Sequence, residues 1–148
     1  MKTAVKQFKG QYSFLSNFAG SFVWYEGVEY PTVEHAFQAA KTLDLEERKK
    51  FEYMDYAGNA KKCGRKVTLR PDWEEVKVDI MLDLLRQKFK HEKHRQPLIA
   101  TGTAHLEEGN NHGDKFWGTV RGEGKNTLGK LLMQVREEIL NEGSHNGS

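Results

Sequence analysis

The most informative segment is Pro31-Thr32-Val33-Glu34-His35-Ala36-Phe37-Gln38-Ala39-Ala40-Lys41. It predicts a capped helix with two distinct faces. The Thr32 hydroxyl is placed to cap the first turn, where backbone N–H groups have no partner within the helix. An apolar stripe recurs at helical spacing and comprises Val33, Ala36, Phe37 and Ala40.

The polar side chains of the same helix form a neighbouring stripe. Glu34, Gln38 and Lys41 stand at i, i+4 and i+7, so a carboxylate, an amide and an amine are expected together beside a core-facing surface. That arrangement suits acid–base or covalent chemistry. The alternative interpretation is an ordinary solvated helix face, on which charges contribute little.

Length and composition indicate one globular domain. The chain has 148 residues, 37% hydrophobic and 30% charged, and its three Trp, five Tyr and eight Phe supply bulk for a core. We expect a domain over 1–142. Residues 143–148 contain no apolar side chain and are expected to be a flexible tail or a remnant of the expression vector.

Several functional classes are disfavoured by the same composition. No run approaches the ~20 apolar residues that a membrane span needs, and Met1–Lys6 lacks the apolar centre of a signal peptide. The single cysteine, Cys63, excludes an internal disulfide and suits a reducing cytoplasm. A net charge of +2 does not indicate a general nucleic-acid binder.

The elements outward from the helix predict an α+β domain, with several helices packed around a small, mostly antiparallel sheet. Expected strands are 4–8, 22–25, 28–30, 105–108 and 115–117, with Glu26-Gly27 as a hairpin turn. Five further helices are expected. One begins at the cap Asp44, a second ends at Gly64, and a third follows Arg70-Pro71-Asp72 and runs to about His91. A fourth runs from Pro97 to Thr101, and the last starts at the cap Asn126.

A second candidate segment is Asn110-Asn111-His112-Gly113-Asp114-Lys115-Phe116-Trp117-Gly118. The Asp114 carboxylate precedes two large rings, and a carboxylate against an apolar wall either has a raised pKa or finds a donor. The alternative is an Asx-type turn, which this composition strongly favours.

A third segment, Gly118–Lys130, places glycines before a helix start. Free N–H groups and the helix dipole make such a loop a common anion site, although a simple glycine-rich turn explains it equally well. It is not a Walker A loop, because Lys125 is followed by Asn126 rather than Ser or Thr. The histidines form no metal-ligand pattern, so neither a metal nor another cofactor is expected.

Taken together, these segments resemble the NADAR, or YbiA-like, family over Tyr12 to about Leu140. The matching text comprises Phe14-Leu15-Ser16-Asn17-Phe18, Tyr30 to Lys41, Gly64-Arg65, Arg70-Pro71-Asp72-Trp73, Lys77, Met81, Lys88-Phe89, Ala100-Thr101-Gly102, Asp114 to Gly118 and Gly124 to Gly129. The resemblance implies the YbiA-like fold and N-glycosidase activity. Family members resemble enzymes that cleave the C1′–N bond of phosphoribosylaminopyrimidine intermediates of riboflavin synthesis, or hydrolases that remove ADP-ribose from guanine bases.

The resemblance also implies roles by position. Glu34, Asp114 and Lys41 are the catalytic candidates. Substrate-binding candidates are Asn17, Phe14, His35, Gln38, Trp73, Trp117, Gly118, Gly124, Lys125 and Asn126, with the Trp73 ring stacking on a base. After Trp117-Gly118 the chain departs from many relatives, and Arg121 in that departure favours a second phosphate and hence an ADP-ribosyl substrate.

The implied mechanism pairs two carboxylates, with Glu34 activating water and Asp114 acting as acid or orienter. The alternative is attack by Lys41 on the opened sugar to form a Schiff base. The expected partner is a nucleotide-like small molecule or ADP-ribosylated nucleic acid, with no membrane. A competing function is a module that binds ADP-ribose or nucleotide without turnover. The oligomeric state, the leaving base and the choice between small-molecule and nucleic-acid substrates stay open.

Overall fold

The computed structural model describes residues 4–146, which divide into two compact units. We call Asn17–His91 the central unit, and Met1–Ser16 with Glu92–Ser148 the terminal unit. Each unit combines helices with a two-stranded ladder, which confirms the α+β class. The domain limits of 1–142 stay a prediction.

The central unit begins with a hairpin. β1 (Val23–Tyr25) pairs antiparallel with β2 (Val28–Tyr30), with Val23 opposite Tyr30. The turn residues Glu26 and Gly27 both have positive φ, 48° and 82°, as a two-residue turn of matching twist requires. The predicted hairpin is confirmed.

The helices of the central unit surround the first of them. They are α1 (Val33–Ala39), α2 (Leu45–Phe51), α3 (Ala57–Cys63) and α4 (Trp73–Lys88). α1 packs against the other three helices and both strands, and all seven of its residues are buried. We expected only the apolar face of this helix to be buried. In the structure its polar side chains are buried as well.

The terminal unit differs more from its predicted elements. Its ladder joins β3 (Ala4–Val5) to β4 (His105–Leu106) in parallel, so the strands form two separate ladders of opposite type rather than one mostly antiparallel sheet. Residues 115–117 do not form the expected strand, and 116 and 117 are bends.

The remaining elements of the terminal unit are helical. Gly10–Leu15 is a 3₁₀ helix, α5 is Glu92–Ala100, and α6 is Thr127–Asn146. α5 begins five residues before the expected start at Pro97, which lies inside the helix and removes one of its hydrogen bonds. Residues 143–146 of the predicted tail continue α6, and 147–148 lie outside the described residues.

The start of α1 explains how the buried His35 ring finds hydrogen-bond partners. Thr32 is the N-cap, and its Oγ1 accepts a hydrogen bond from the backbone N–H of His35 at 3.1 Å. The same hydroxyl lies 2.7 Å from His35 Nδ1, while His35 Nε2 lies 2.9 Å from the carbonyl oxygen of Met54. Because a carbonyl only accepts, Nε2 carries the proton and Thr32 donates to Nδ1. The imidazole is thus held neutral, and burial lowers its pKa.

We expect Thr32→Ala to destabilise the protein by about 2 kcal/mol, since it removes a helix cap worth about 1 kcal/mol and leaves the buried His35 Nδ1 without a donor. Urea unfolding measures the change. The matched control is Asp44→Ala, which removes the exposed cap of α2, a helix of the same length. Equal losses in the two variants would contradict the double role of the Thr32 hydroxyl.

Candidate active site

The Glu34 carboxylate is the centre of the candidate site in the central unit. The residue is only 8% exposed, although it lies in the first turn of a helix. Gln38 Nε2 donates a short hydrogen bond to Glu34 Oε2. The backbone N–H of Glu34 donates to the carbonyl oxygen of Asn17 at 3.1 Å. A carboxylate is therefore held inside the protein by one side-chain donor and one anchored turn of helix.

Lys41 follows α1 and is electrostatically coupled to this carboxylate. Burial is the main cause that lowers the pKa of Lys41, and the charges of Arg65, Lys61 and Lys77 lower it further, whereas Glu34 raises it. Of these three cations, Lys61 lies in α3, Arg65 lies just after it and Lys77 lies in α4. The predicted carboxylate of Glu34 and the predicted amine of Lys41 therefore lie close enough for their charges to interact.

Asn17 lies beside the start of α1 and is 9% exposed. Its Nδ2 contacts Met81 Sδ at 3.6 Å, a weak interaction. Its Oδ1 is buried and has no hydrogen-bond partner among the described residues. A buried acceptor without a partner is uncommon in a folded protein, so this oxygen is a natural acceptor for a donor on a bound ligand.

Two of the predicted binding residues serve the fold instead of an open surface. His35 is 1% exposed, and both ring nitrogens have protein partners. Trp73 is 6% exposed, and its ring tilts against Phe37 with centroids 4.9 Å apart. This packing places Trp73 behind α1 in the core, where the structure leaves little ring surface for a stacked base.

The residue that begins the Arg-Pro-Asp-Trp motif holds the end of α1. Arg70 donates through Nε and Nη2 to the two carboxylate oxygens of Asp72, at 2.6 and 3.1 Å. Its Nη1 reaches the carbonyl oxygen of Ala40 at 3.3 Å, and its backbone N–H donates to the carbonyl oxygen of Lys41 at 2.7 Å. Sequence reasoning missed this role, because it treated Arg70 only as the start of a helix.

The Asp114 segment lies in the terminal unit and forms the turn that its composition favours. Asp114 Oδ1 accepts from the backbone N–H groups of Phe116 and Trp117, at 3.1 and 2.9 Å. Asn110 closes the turn, with its Oδ1 accepting from the Asp114 N–H at 3.1 Å. The Trp117 ring packs edge-on against Phe116, with centroids 4.9 Å apart. One oxygen of Asp114 is therefore occupied in shaping the loop.

The backbone amides at the start of α6 favour the simple glycine-rich turn over the anion site. Backbone N–H groups from Lys125 to Leu128 donate in turn to the carbonyl oxygens of Lys115, Gly118, Phe116 and Trp117, at 2.8 to 3.2 Å. These four amides are thus bonded to the preceding segment.

The Asn126 side chain does not cap α6 either. Its Oδ1 accepts from the Glu108 N–H, and its Nδ2 donates to the carbonyl oxygen of Leu106, both at 2.9 Å. These bonds tie the loop to β4, so the residue acts in the fold. Gly118 and Gly124 act likewise, because a Cβ at Gly118 would clash with the carbonyl oxygen of Glu108, and a Cβ at Gly124 with that of Gly118.

The other candidates of the terminal unit are more accessible. Phe14 is half-buried in the 3₁₀ helix, and Lys125 is exposed with its Nζ 5.5 Å from the centre of the Phe116 ring. Arg121 and Lys115 line an open cleft of about 420 Å³ together with Glu123. Lys115 Nζ lies 4.0 Å from the Glu123 carboxylate, so Arg121 is the residue of this cleft best suited to a phosphate-bearing ligand.

Among residues 4–142, whose side chains the structure describes, no group of three or more His, Cys, Asp or Glu is placed to hold a metal ion. Over the same residues, no helix is long and apolar enough to cross a bilayer.

Comparisons with known proteins agree on one family. The NADAR domain matches residues 5–140, a range that includes parts of both units. N-glycosidase YbiA of Escherichia coli K12 is 40% identical over 135 residues, which are 88% of this chain and 84% of that protein. N-glycosidase Npun_R5314 of Nostoc punctiforme is 36% identical, covering 88% of this chain and 87% of that protein.

Two further matches extend the comparison. Riboflavin biosynthesis protein VVA0006 of Vibrio vulnificus is 34% identical over 91% of this chain, which spans 38% of that protein. The NMR structure of E. coli YbiA superposes with a TM-score of 0.82 at 37% identity, covering 97% of this chain and 89% of that one.

Proposed function

Because this chain belongs to the NADAR domain family, and its relatives of matching length are N-glycosidases, it is a hydrolase of N-glycosyl bonds, and we propose that it acts on a phosphoribosyl- or ADP-ribosyl-linked base. The observation that carries the proposal is the buried Glu34 carboxylate, which accepts a hydrogen bond from Gln38 and is electrostatically coupled to Lys41. Groups such as Lys41, whose pKa is lowered by burial beside a specific charge partner, concentrate at active sites.

The proposed reaction breaks the C1′–N bond and forms a C1′–O bond with water. Positive charge develops on C1′ in the transition state, and the departing nitrogen takes up a proton. Glu34 stabilises the developing charge and accepts the proton of the attacking water. Asp114 is the proposed acid or orienter, and the carboxylate oxygen that is bonded to the loop amides suits the orienting role.

The binding roles follow from which polar groups remain available. The buried Asn17 Oδ1 is the proposed acceptor for a ribose hydroxyl or for an N–H of the base, because it has no partner among the described residues. Lys125 and Arg121 are the proposed phosphate contacts through their side chains, since the loop amides are engaged elsewhere.

Two substrate classes are proposed, each with its own support. The name of the Vibrio relative supports a phosphoribosylaminopyrimidine of riboflavin synthesis, although this chain spans only part of that protein. Arg121 on the open cleft supports an ADP-ribosyl substrate, which carries two phosphates.

We expect the purified chain to release free base from at least one of phosphoribosylaminouracil, ADP-ribosylated guanosine and ADP-ribosylated DNA. Chromatography over hours measures the product, and the Glu34→Gln variant serves as the control for background hydrolysis. Tight binding of one compound with no release of base would instead identify a module that binds ADP-ribose or nucleotide. Release confined to one compound chooses between the substrate classes.

A further inference from the structure

The glycine that ends α3 lies against the side chain that binds Glu34. Gly64 is the C-cap of α3, with φ −60° and ψ −22°, a conformation open to any L-amino acid. Its backbone therefore does not require glycine. The space beside it does, because a Cβ on Gly64 would stand 1.9 Å from Gln38 Oε1 and 2.7 Å from Gln38 Cδ.

Two neighbours determine the position of the Gln38 amide, the Glu34 carboxylate on one side and Gly64 on the other. Its Nε2 donates to Glu34 Oε2, so its Oε1 must point the other way. That oxygen is buried and has no hydrogen-bond partner among the described residues, and it occupies the space where a side chain at 64 would begin. An unsatisfied buried acceptor has a cost, which is offset here by the bond that the same amide makes to Glu34.

We propose that Gly64 is a positioning residue for the hydrolysis, because the missing Cβ lets the Gln38 amide lie where it donates to the Glu34 carboxylate. The inference rests on the proposed role of Glu34. Gly64 acts only through Gln38, and neither its N–H, which donates to the carbonyl oxygen of Ala60, nor its conformation contributes.

A methyl group at 64 would displace the Gln38 amide while the fold persists, since the two closest clashes fall on the end of a flexible side chain and the Gln38 Cβ, at 3.1 Å, needs to move by only a few tenths of an ångström. Without the donor, the ionised carboxylate loses stabilisation. The charged groups around it stay in place, namely Lys41, which acts on Glu34, and Lys61, Arg65 and Lys77, which act on Lys41. The acid limb of the kcat/KM profile should therefore move to higher pH.

The test compares Gly64→Ala with Gly58→Ala. Gly58 lies in the same helix, and a Cβ there meets nothing within 4 Å. We expect Gly64→Ala to lower kcat about tenfold to a hundredfold, the loss of a hydrogen bond to a charged group, with KM unchanged and the acid limb raised. Gly58→Ala should keep the kinetics of the parent chain. Thermal melting of both variants verifies folding.

Gln38→Ala provides a second route if Gly64→Ala folds poorly. It should show the same loss and the same shift of the acid limb. Adding Gly64→Ala to it should cost far less than Gly64→Ala costs alone, because the amide that clashes is gone and only the Cβ of residue 38 remains, 3.1 Å from a Cβ at 64. Parent-like kinetics and an unshifted acid limb in Gly64→Ala or in Gln38→Ala, with Glu34→Gln inactive, would overturn this inference alone. Full activity of Glu34→Gln would overturn the proposed function itself.

Discussion

Glu34→Gln is expected to lower kcat/KM about 10³-fold, the usual scale of a lost general base. The substitution keeps the shape of the side chain and an oxygen that can accept from Gln38 Nε2, so the fold should stay intact. An amide at this position can neither take a proton from water nor stabilise positive charge at C1′. Steady-state release of free base, with circular dichroism as the folding check, measures the effect.

The matched control for this variant is Glu46→Gln. Glu46 stands in α2 at the position that Glu34 has in α1, two residues after the cap, but its side chain is exposed. Both substitutions remove a negative charge near a helix N-terminus. A comparable loss of activity in the two variants would mean that helix stability, rather than chemistry, explains the result.

Lys41→Met is expected to lower kcat/KM about 10²-fold, because it removes the cation that is coupled to Glu34 in a partly desolvated site. Methionine preserves most of the aliphatic length. The control is Lys50→Met, which removes an exposed cation near the end of α2. Parent-like activity of Lys41→Met would exclude Lys41 from the catalytic group.

The pH profile separates the two possible roles of Lys41. Burial and neighbouring cations lower the pKa of this amine, so it loses its proton at a lower pH than an ordinary lysine. If the cation is required, activity falls as the pH rises through that lowered value. If the neutral amine attacks the sugar, activity rises through it instead.

Borohydride trapping gives a direct answer to the same question. The water route predicts that enzyme, substrate and borohydride leave the Lys41 peptide at its unmodified mass. A reduced sugar adduct at Lys41 would replace the water route with the Schiff-base route, in which the amine forms the first bond to C1′.

Local elements were predicted well where the determining interactions lie within a few residues. The cap of α1 at Thr32, the cap of α2 at Asp44 and the turn at Glu26-Gly27 all follow from short-range hydrogen bonding or backbone preference. The start of α5 was not predicted, because Pro97 favours a helix start locally while the structure extends the helix before it.

Predictions about the site depended on which groups remain unpaired, and that is a tertiary property. The glycine-rich segment before α6 predicts free amides, yet carbonyl oxygens from 115–118 consume them. Trp73 was expected to stack on a base, but Phe37 covers it in the core. No local pattern specifies such partners, since they come from distant segments of the chain.

Local sequence alone predicted a helix that is capped at Thr32 and presents Glu34 and Gln38 on one side, and its motifs identified the family. Helical spacing suffices for this, because residues i and i+4 are neighbours on any α-helix. Tertiary packing determined that α1 ends before Lys41, that all seven of its residues are buried, that the Asn17 carbonyl oxygen accepts from the Glu34 backbone N–H and that Gly64 leaves room for the Gln38 side chain. The reason is that burial and close packing depend on segments brought together from far apart in the chain, and no spacing within one helix encodes them.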